Sequence, residues 1–360
     1  MFRGHAVTAL VTSMIFVVVA ASGCGFGQPA APSVNPADEA VLKASVAEAA
    51  GQMKADRHED AAQRLEEAVA GLGKNPEPEF AAYAYTLLAE VRLHLKAHQE
   101  AADAAREAVA WNRKAGQDRS EHMARALSVL GQALLPANPE EARQLLLQAK
   151  SLAEEVKSRD AMLLMGIEDS LADALVRQGN IQAAEPHYQR ALELQEQFDR
   201  NDTGRMVQAL TNLGAYYQYL NLIDKSEGYF TRARTTLDSA GMHDSPEMAR
   251  ILSGEAFVKF RRGECSAAID LLQQAIAVRT GTEVKADASL AKLYHDLGAA
   301  YECAGDRETA IAQYQASLEM FKTLQDPAAA HVQQRLDALT STNFTPADAA
   351  PEGGAPPPAS

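Results

Sequence analysis

The chain has 360 residues, 47% of them hydrophobic, and a formal net charge of −14 at pH 7. The hydrophobic content is sufficient for a substantial buried core. The acidic balance argues against a nucleic-acid partner, because binding to phosphates requires a basic surface. The three cysteines include no Cys-x-x-Cys pair and no other metal-ligand spacing, which argues against a zinc or redox site.

Residues 1–23 resemble an export signal, since Arg3 supplies a positive charge and residues 6–23 contain no charged side chain. That run is about 18 residues long, shorter than the roughly 20 that a membrane-spanning helix needs. It ends in Ala-Ser-Gly-Cys24, which resembles the lipobox of bacterial lipoproteins and departs from it at Ala21, where Leu is usual. The resemblance implies a lipid on Cys24 and a location in the bacterial cell envelope, exposed to the periplasm or otherwise outside the cytoplasmic membrane. An uncleaved membrane anchor is the alternative, and it too would export and tether the chain.

Residues 24–35 are rich in Gly, Pro and Ala and are predicted to form a flexible tether. Asn35 and Pro36 then predict the start of the first helix, because Asn is a good N-cap and Pro suits the first helical position. The folded part of the chain is therefore predicted to begin at residue 36.

From this point three small residues recur at a period close to 42 residues. The stretches between them carry apolar faces at helical spacing, as in the last copy, where Gly305 separates a helix containing Tyr301 from a helix containing Tyr314. The three positions hold, in turn, Ala49, Ala89, Gly131, Ala172, Gly214, Ala256 and Gly298; Ala61, Ala101, Ala142, Ala184, Ser226, Ala268 and Ala310; and Ala68, Ala108, Ala149, Ala191, Ala233, Ala275 and Ser317. Small residues in a fixed register predict closely packed helix pairs, repeated along the chain.

The last copy, YHDLGAAYECAGDRETAIAQYQASLEMF at residues 294–321, resembles a tetratricopeptide repeat (TPR), whose signature is a large-x2-Leu-Gly-x2-Tyr helix followed by an Ala-x3-aromatic helix. The period and the segment TNLGAYY at residues 211–217 are similar to the repeats of kinesin light chains and their bacterial relatives, with Asn212 matching the Asn of that subfamily. The resemblance implies an all-α fold, a right-handed α-solenoid of about seven TPR helical hairpins with a C-terminal capping helix. The predicted solenoid spans residues 36–340, with repeats at about 38–73, 80–114, 121–157, 162–197, 204–238, 246–280 and 288–323, a capping helix at 327–340 and a Pro-rich disordered tail at 341–360.

Motifs for catalysis and metal binding are not evident in the sequence. His94 and His98 are four residues apart, but they straddle a predicted turn and no third ligand accompanies them. The chain has no nucleophile elbow, no phosphate-cradling Gly loop and no paired-carboxylate motif. We therefore predict no catalytic residue, no metal, no cofactor and no enzymatic activity.

The resemblance also implies which residues face a concave groove, since four positions spaced three to four residues apart on each first helix line that side of a TPR solenoid. In repeats four to seven the candidate groove residues at these positions, with Asn212 added, are Asp169, Asp173, Arg177, Gln208, Thr211, Tyr219, Arg250, Phe257, Arg261, Lys292 and His295. With repeat three included, five basic residues stand against two acidic ones. We interpret this as a peptide groove with basic clamps and aromatic anchors, suited to an extended acidic segment. The alternative is an ordinary solvated face, with Asp173 and Arg177 a simple i,i+4 pair.

The predicted function is a non-catalytic scaffold or adaptor of the cell envelope, attached to the membrane by lipid and binding a protein partner in its groove. A module that recognises a small ligand or a glycan is the alternative. The paired Lys and Asn residues of the chaperone-cofactor carboxylate clamp are not at the matching positions, so the resemblance does not imply binding to chaperone tails.

Cys265 and Cys303 remain as an even pair if Cys24 carries a lipid. They lie at ends of consecutive antiparallel helices that meet at one edge of the predicted solenoid. The sequence allows a disulfide there, but it does not establish the spacing of the Cα atoms that the bond needs. Two free thiols are the alternative.

Overall fold

The computed structural model describes residues 36–55, 57–73, 76–198, 202–281 and 287–341. These residues form fifteen α-helices and one short 3₁₀ segment, Ile181–Ala184, so the predicted all-α fold class is confirmed. None of the helices in this part of the chain is both long enough and apolar enough to cross a membrane. The predicted signal (1–23), the tether with Cys24 (24–35) and the tail beyond residue 341 lie outside the described residues.

The helices pair into seven antiparallel hairpins followed by a single helix. The bounds are α1 Pro36–Lys54 and α2 His58–Ala70; α3 Pro78–His94 and α4 His98–Lys114; α5 Glu121–Leu134 and α6 Pro139–Glu155; α7 Ala161–Arg177 and α8 Glu185–Phe198; α9 Thr203–Tyr219 and α10 Ile223–Ser239; α11 Pro246–Arg261 and α12 Cys265–Gly281; α13 Ala288–Cys303 and α14 Arg307–Thr323; and α15 Ala328–Thr340. Successive hairpins stack in chain order, each second helix packing against the first helix of the next hairpin. The chain is therefore a solenoid with a terminal capping helix.

The recurring small residues lie where helices come closest. The alanines and serines at these positions are 0–3% exposed, and the glycines among them are buried as well. The ring of Phe230 in α10 lies against both Gly214 in α9 and Gly254 in α11, and a Cβ atom on Gly254 would be 2.3 Å from that ring. These positions are small because a larger side chain would occupy the space of a neighbouring helix.

Local sequence signals set the ends of the helices. Within the hairpins, Gly179, Gly263 and Gly305 reverse the chain with positive φ angles of 75–81°, a conformation that costs glycine little. First helices begin at side-chain N-caps, such as Asp202 and Asp287, whose carboxylates accept hydrogen bonds from backbone N–H groups of the first turn. Each such cap contributes about 1 kcal/mol to helix stability.

The stacking is tighter on one side of the solenoid than on the other. First helices of successive hairpins pack directly against each other in the pairs α1–α3, α3–α5, α5–α7, α9–α11 and α11–α13, whereas second helices make no comparable contact within the described residues. Closer spacing on the side of the first helices bends the stack toward that side. The first helices therefore line the concave surface.

The apolar core is interrupted at the fourth hairpin. Ile167 and Leu171 of α7 belong to the buried cluster of the N-terminal hairpins, whereas Ala172 and Leu175 of the same helix belong to the next cluster. Unlike the other neighbouring first helices, α7 and α9 make no extensive contact in the described part of the chain. The concave surface thus has a junction between α7 and α9 where polar side chains replace apolar packing.

Candidate binding groove

The predicted groove residues lie on the side where first helices of neighbouring hairpins meet. The Asn212 side chain of α9 acts on the pKa of the Asp169 carboxyl of α7, and the Arg250 guanidinium of α11 donates a hydrogen bond to Thr211 Oγ1 of α9. We define the inner groove by the predicted set, Asp169, Asp173, Arg177, Gln208, Thr211, Asn212, Tyr219, Arg250, Phe257, Arg261, Lys292 and His295.

The inner groove presents two aromatic side chains to solvent. Tyr219 is 39% exposed, and Phe257 is half-buried while belonging to none of the buried apolar clusters of the described residues. Thr211, in contrast, is only 2% exposed, and its hydroxyl donates to the Gln208 carbonyl oxygen at 3.0 Å while accepting from Arg250. Thr211 therefore holds Arg250 in place and offers almost no surface to a ligand.

The C-terminal end of the groove carries two cations without a carboxylate partner among the described residues. Lys292 is exposed and Arg261 is half-buried, and neither forms an ion pair within the described residues. Arg125 of repeat three is different, because it lies between two carboxylates, Glu90 of α3 and Asp160 at the start of α7. The sequence count of five basic groove residues therefore overstates the free charge on the N-terminal side.

Two carboxylates of α7, Asp169 and Asp173, occupy the junction with α9, and we call them the α7 carboxylate pair. The Tyr188 hydroxyl of α8 donates a hydrogen bond to Asp173, while Arg177 interacts with Asp173 only through its charge. The interpretation as a simple Asp173–Arg177 helix pair is therefore incomplete. Asp169 Oδ1 is buried and has no hydrogen-bond partner among the described residues.

Burial perturbs the titration of this pair. Removal from water, reinforced by the negative charge of Asp173, raises the pKa of Asp169 to about 7, although the Asn212 amide and the charge of Arg250 oppose the change. Burial also raises the pKa of Asp173 to about 6, against the opposing effects of Tyr188 and Arg177. The surrounding groups thus compensate the two negative charges incompletely.

His295 lies at the opposite end of the groove, against the capping helix. Its ring centroid is 5.4 Å from that of Tyr314 and 5.8 Å from that of His331 in α15, and its Nδ1 lies 3.1 Å from Asp296 Oδ1. The capping helix is itself held by Arg335, whose Nε donates to Glu302 Oε2 at 3.1 Å. His295 therefore marks the closed end of the groove.

Two residues that shape the groove were not predicted. Glu90 occupies the equivalent stripe position in the second repeat, one period before Gln132, so extending the register by one repeat would have identified it. Tyr188 is the aromatic residue of the Ala-x3-aromatic signature in repeat four. A buried Tyr needs a partner for its hydroxyl, and this requirement was the available signal.

Cys265 and Cys303 are bonded as a disulfide, with their Cα atoms 5.8 Å apart. Cys265 is the first residue of α12 and Cys303 is the last residue of α13, so the bond links hairpins six and seven at one edge of the stack. That Cα separation lies within the usual range for a disulfide.

Other candidate sites are less suited to a ligand. No group of three or more His, Cys, Asp or Glu residues in the described part of the chain could hold a metal ion, and His94 stacks on His58 at 4.5 Å between ring centroids. An open cleft of about 470 Å³ lies between α2, α3 and α4. Its arginines are already engaged, Arg92 with Glu66 of α2, so the inner groove remains the candidate site.

Comparison with known proteins agrees with the hairpin architecture. Residues 161–239, 205–281 and 247–323 match a family model described as tetratricopeptide repeat. No functionally characterised protein shows significant sequence similarity to the chain.

Solved structures of similar fold include the following three. The apo form of RapI has a TM-score of 0.61 and 13% identity, covering 79% of this chain and 99% of that one. The apo quorum sensor NprR from B. thuringiensis has a TM-score of 0.57 and 12% identity, covering 84% and 88%. A Rap protein complexed with Competence and Sporulation Factor has a TM-score of 0.56 and 17% identity, covering 82% and 73%. At these identities the likeness concerns the fold alone, whereas the family model shows tetratricopeptide repeats within residues 161–323.

Proposed function

We propose that the inner groove binds an extended segment of a protein partner and that the chain acts as a non-catalytic scaffold or adaptor. The observation that carries this proposal is the C-terminal half of the groove. There, Tyr219 is exposed and Phe257 is half-buried. Arg261 and Lys292 lie on the same groove, and neither forms an ion pair with a carboxylate of the described residues. Aromatic side chains that are accessible and surrounded by polar groups are typical anchors of protein interfaces.

The charge of the groove favours an acidic segment at this end. The chain as a whole has a net charge of −14, so unpaired cations in one concavity create a local field opposite in sign to that of the molecule. Such a field attracts an oppositely charged partner and orients it, and it affects the association rate more than the final affinity. We therefore assign the acidic residues of the partner to the surface formed by α11 and α13.

The structural neighbours support the general use of such a solenoid. One of them is a Rap protein crystallised with Competence and Sporulation Factor, and another is a quorum sensor. A stack of helical hairpins of this shape is thus able to hold a separate molecule, and we extend that ability to this chain.

The N-terminal sequence supports a place for this activity in the bacterial cell envelope, with a lipid on Cys24 tethering the solenoid to a membrane. Replacement of Cys24 by Ser is expected to leave an unprocessed precursor, because the acylated Cys is the residue at which a lipoprotein signal is removed. Electrophoretic mobility and membrane fractionation measure this. Normal cleavage and normal membrane attachment of Cys24→Ser would rule out the lipid anchor without affecting the groove.

Charge reversal tests the groove. A fluorescent ten-residue probe peptide with Phe and several Glu residues should bind the wild-type protein in an anisotropy titration, and Arg261→Glu with Lys292→Glu should weaken binding roughly tenfold or more, since each exposed charge pair contributes up to about 1 kcal/mol and reversal adds repulsion. The matched control is Arg113→Glu with Lys322→Glu, two exposed cations on second helices. Equal affinity of both double variants would refute the groove as the binding surface.

A further inference from the structure

The sequence after the capping helix has the composition of a ligand for the inner groove. Residues 342–352 read TNFTPADAAPE, with one aromatic residue, Phe344, two carboxylates, Asp348 and Glu352, and no Lys or Arg. We call residues 342–352 the acidic tail segment. Its two prolines favour extended backbone, and a segment with one large apolar residue cannot form a core of its own. It therefore combines an aromatic anchor with negative charge on an extended chain.

The acidic tail segment begins at the edge of the solenoid where first helices end. Arg307, the first residue of α14, donates hydrogen bonds to the carbonyl oxygens of Leu339 and Ser341, the latter at 3.2 Å. Ser341 is therefore held at the start of α14, beside the turn that follows Cys303, the last residue of α13. The tail segment leaves the capping helix at this turn.

The disulfide brings an unpaired cation to the same edge. The Cα atom of Cys303 lies 5.8 Å from that of Cys265, the first residue of α12. Arg261, the last residue of α11, precedes Cys265 by one short turn. Its neighbour Arg262 forms ion pairs with two carboxylates of α10, whereas Arg261 is half-buried and has no carboxylate partner among the described residues. Arg261 therefore offers its charge on the side where the tail segment begins.

We propose that the acidic tail segment folds back along this edge and occupies the C-terminal end of the inner groove, with Phe344 over α13 and Asp348 beside Arg261. The inference rests on the proposed function, because it concerns the same surface, and it adds a regulation of that surface. In the free protein the groove is closed by its own chain. A partner has to displace the tail segment before its own acidic residues can bind.

The length of the tail segment fits this path. Helix α15 is ion-paired with α13, so α11 is two helix spacings from α15, roughly 16–20 Å at 8–10 Å for each packed pair. Asp348 follows Ser341 by seven residues, and an extended chain of about 3.3 Å per residue carries it roughly 23 Å. Phe344, three residues from Ser341, reaches roughly 10 Å. That distance ends at α13, where Ala299, one turn after His295 on the same helix face, is small and half-buried.

Tethering makes a weak contact of this kind effective. Short flexible linkers give effective concentrations of about 1 mM, so a segment with an intrinsic Kd of about 0.2 mM would occupy the groove in roughly five of six molecules. Only about one molecule in six is then open to an external peptide. The apparent affinity of that peptide falls roughly sixfold, in proportion to the open fraction.

Substitutions in the tail segment of the full chain test this competition. Phe344→Ala with Asp348→Asn and Glu352→Gln should bind the fluorescent probe peptide with Phe and Glu residues roughly threefold to tenfold more tightly than wild type. Glu308→Gln with Glu319→Gln, two exposed carboxylates on α14, is the matched control, because it removes the same charge, and should bind as wild type does. Equal affinity of wild type and the tail variant overturns the tail contact, and so does an equal gain in the control.

Photocrosslinking locates the tail segment directly. A photoreactive phenylalanine analogue in place of Phe344 should, on irradiation of the free protein, form crosslinks within one chain that mass spectrometry maps to α13 or the adjacent α11. Excess probe peptide should lower their yield. Crosslinks that join two chains would show a second copy in the groove and overturn the intramolecular contact, as would crosslinks confined to other helices.

The tail contact and the proposed function can fail separately. If the tail variant binds the probe no more tightly than wild type, while Arg261→Glu with Lys292→Glu still weakens binding, the proposed function stands without the tail contact. If the probe binds neither wild type nor the tail variant, the proposed function is overturned. The crosslinks from position 344 then decide by themselves whether the tail segment lies on α13.

Discussion

Replacement of Gly254 by Ala tests the claim that small residues hold the solenoid together. A Cβ atom at this position would lie 2.3 Å from Cε1 and Cζ of Phe230 and 2.7 Å from Cδ1. The ring cannot move away freely, because its other side lies against Gly214, where a Cβ would be 2.8 Å from the ring. Helices α9 and α11 must therefore separate, or Phe230 must leave its position between them.

The expected cost follows from two opposing effects. Overpacking of a core costs about 1–3 kcal/mol, and the upper end applies here because the clash is with a ring packed on both sides. Ala gains about 1 kcal/mol over Gly in helix propensity. Gly254→Ala should therefore destabilise the protein by about 2 kcal/mol.

Gly228→Ala is the matched control. Gly228 lies in α10, is exposed, and has no atom within 4 Å of its would-be Cβ, so this variant should gain up to about 1 kcal/mol. Urea unfolding followed by circular dichroism measures both, and the midpoints are compared because a repeat protein need not unfold in one step. Equal stabilisation by the two substitutions would refute the argument that Gly254 is needed for close packing.

Three further predictions concern stability. Because burial raises the pKa of Asp169 to about 7, ionisation of this residue lowers the free energy of unfolding as pH rises from about 4 to 7. Asp169→Asn should remove this pH dependence and stabilise the protein by about 1–2 kcal/mol at pH 8, less than the roughly 4 kcal/mol that the full pKa shift corresponds to, because water reaches the half-buried side chain. An unchanged pH profile of unfolding would contradict this. Arg335→Ala should leave the buried Glu302 without its cation and destabilise the packing of α15 by about 3 kcal/mol. The backbone amides of α15 should then exchange faster with solvent, and unchanged protection of α15 would contradict this. Reduction of the Cys265–Cys303 bond, which closes a loop of sequence separation 38, should destabilise hairpins six and seven by at most about 4 kcal/mol. Two free thiols in the native protein would show that the bond does not form.

The fold could be predicted from the sequence because close packing of two helices is required in every hairpin. Each hairpin needs the same close approach of helices, so Ala142, Ser226 and Ala310 repeat one small position at a fixed period. The turn at Gly305 follows from the same logic, since its positive φ of 81° is easiest for glycine.

The candidate site was predictable only as a set of positions. Which groove residues are free depends on contacts between hairpins, which a period along one sequence does not contain. Arg125 is neutralised by Glu90 from the preceding first helix, and Thr211 is covered when Arg250 of the next hairpin bonds to it. Register predicts the face of a helix, whereas pairing across the stack depends on the distance between helices.

Site-specific photocrosslinking tests the central claim, that a partner lies along the concave first helices. A photoreactive phenylalanine analogue at Phe257 of α11 should form crosslinks to an acidic partner segment that mass spectrometry can map. The same analogue at Phe198, which is 53% exposed at the end of the second helix α8, should yield few or none. Crosslinks from Phe198 in place of Phe257, or equal yields from both, would contradict a partner bound in the inner groove.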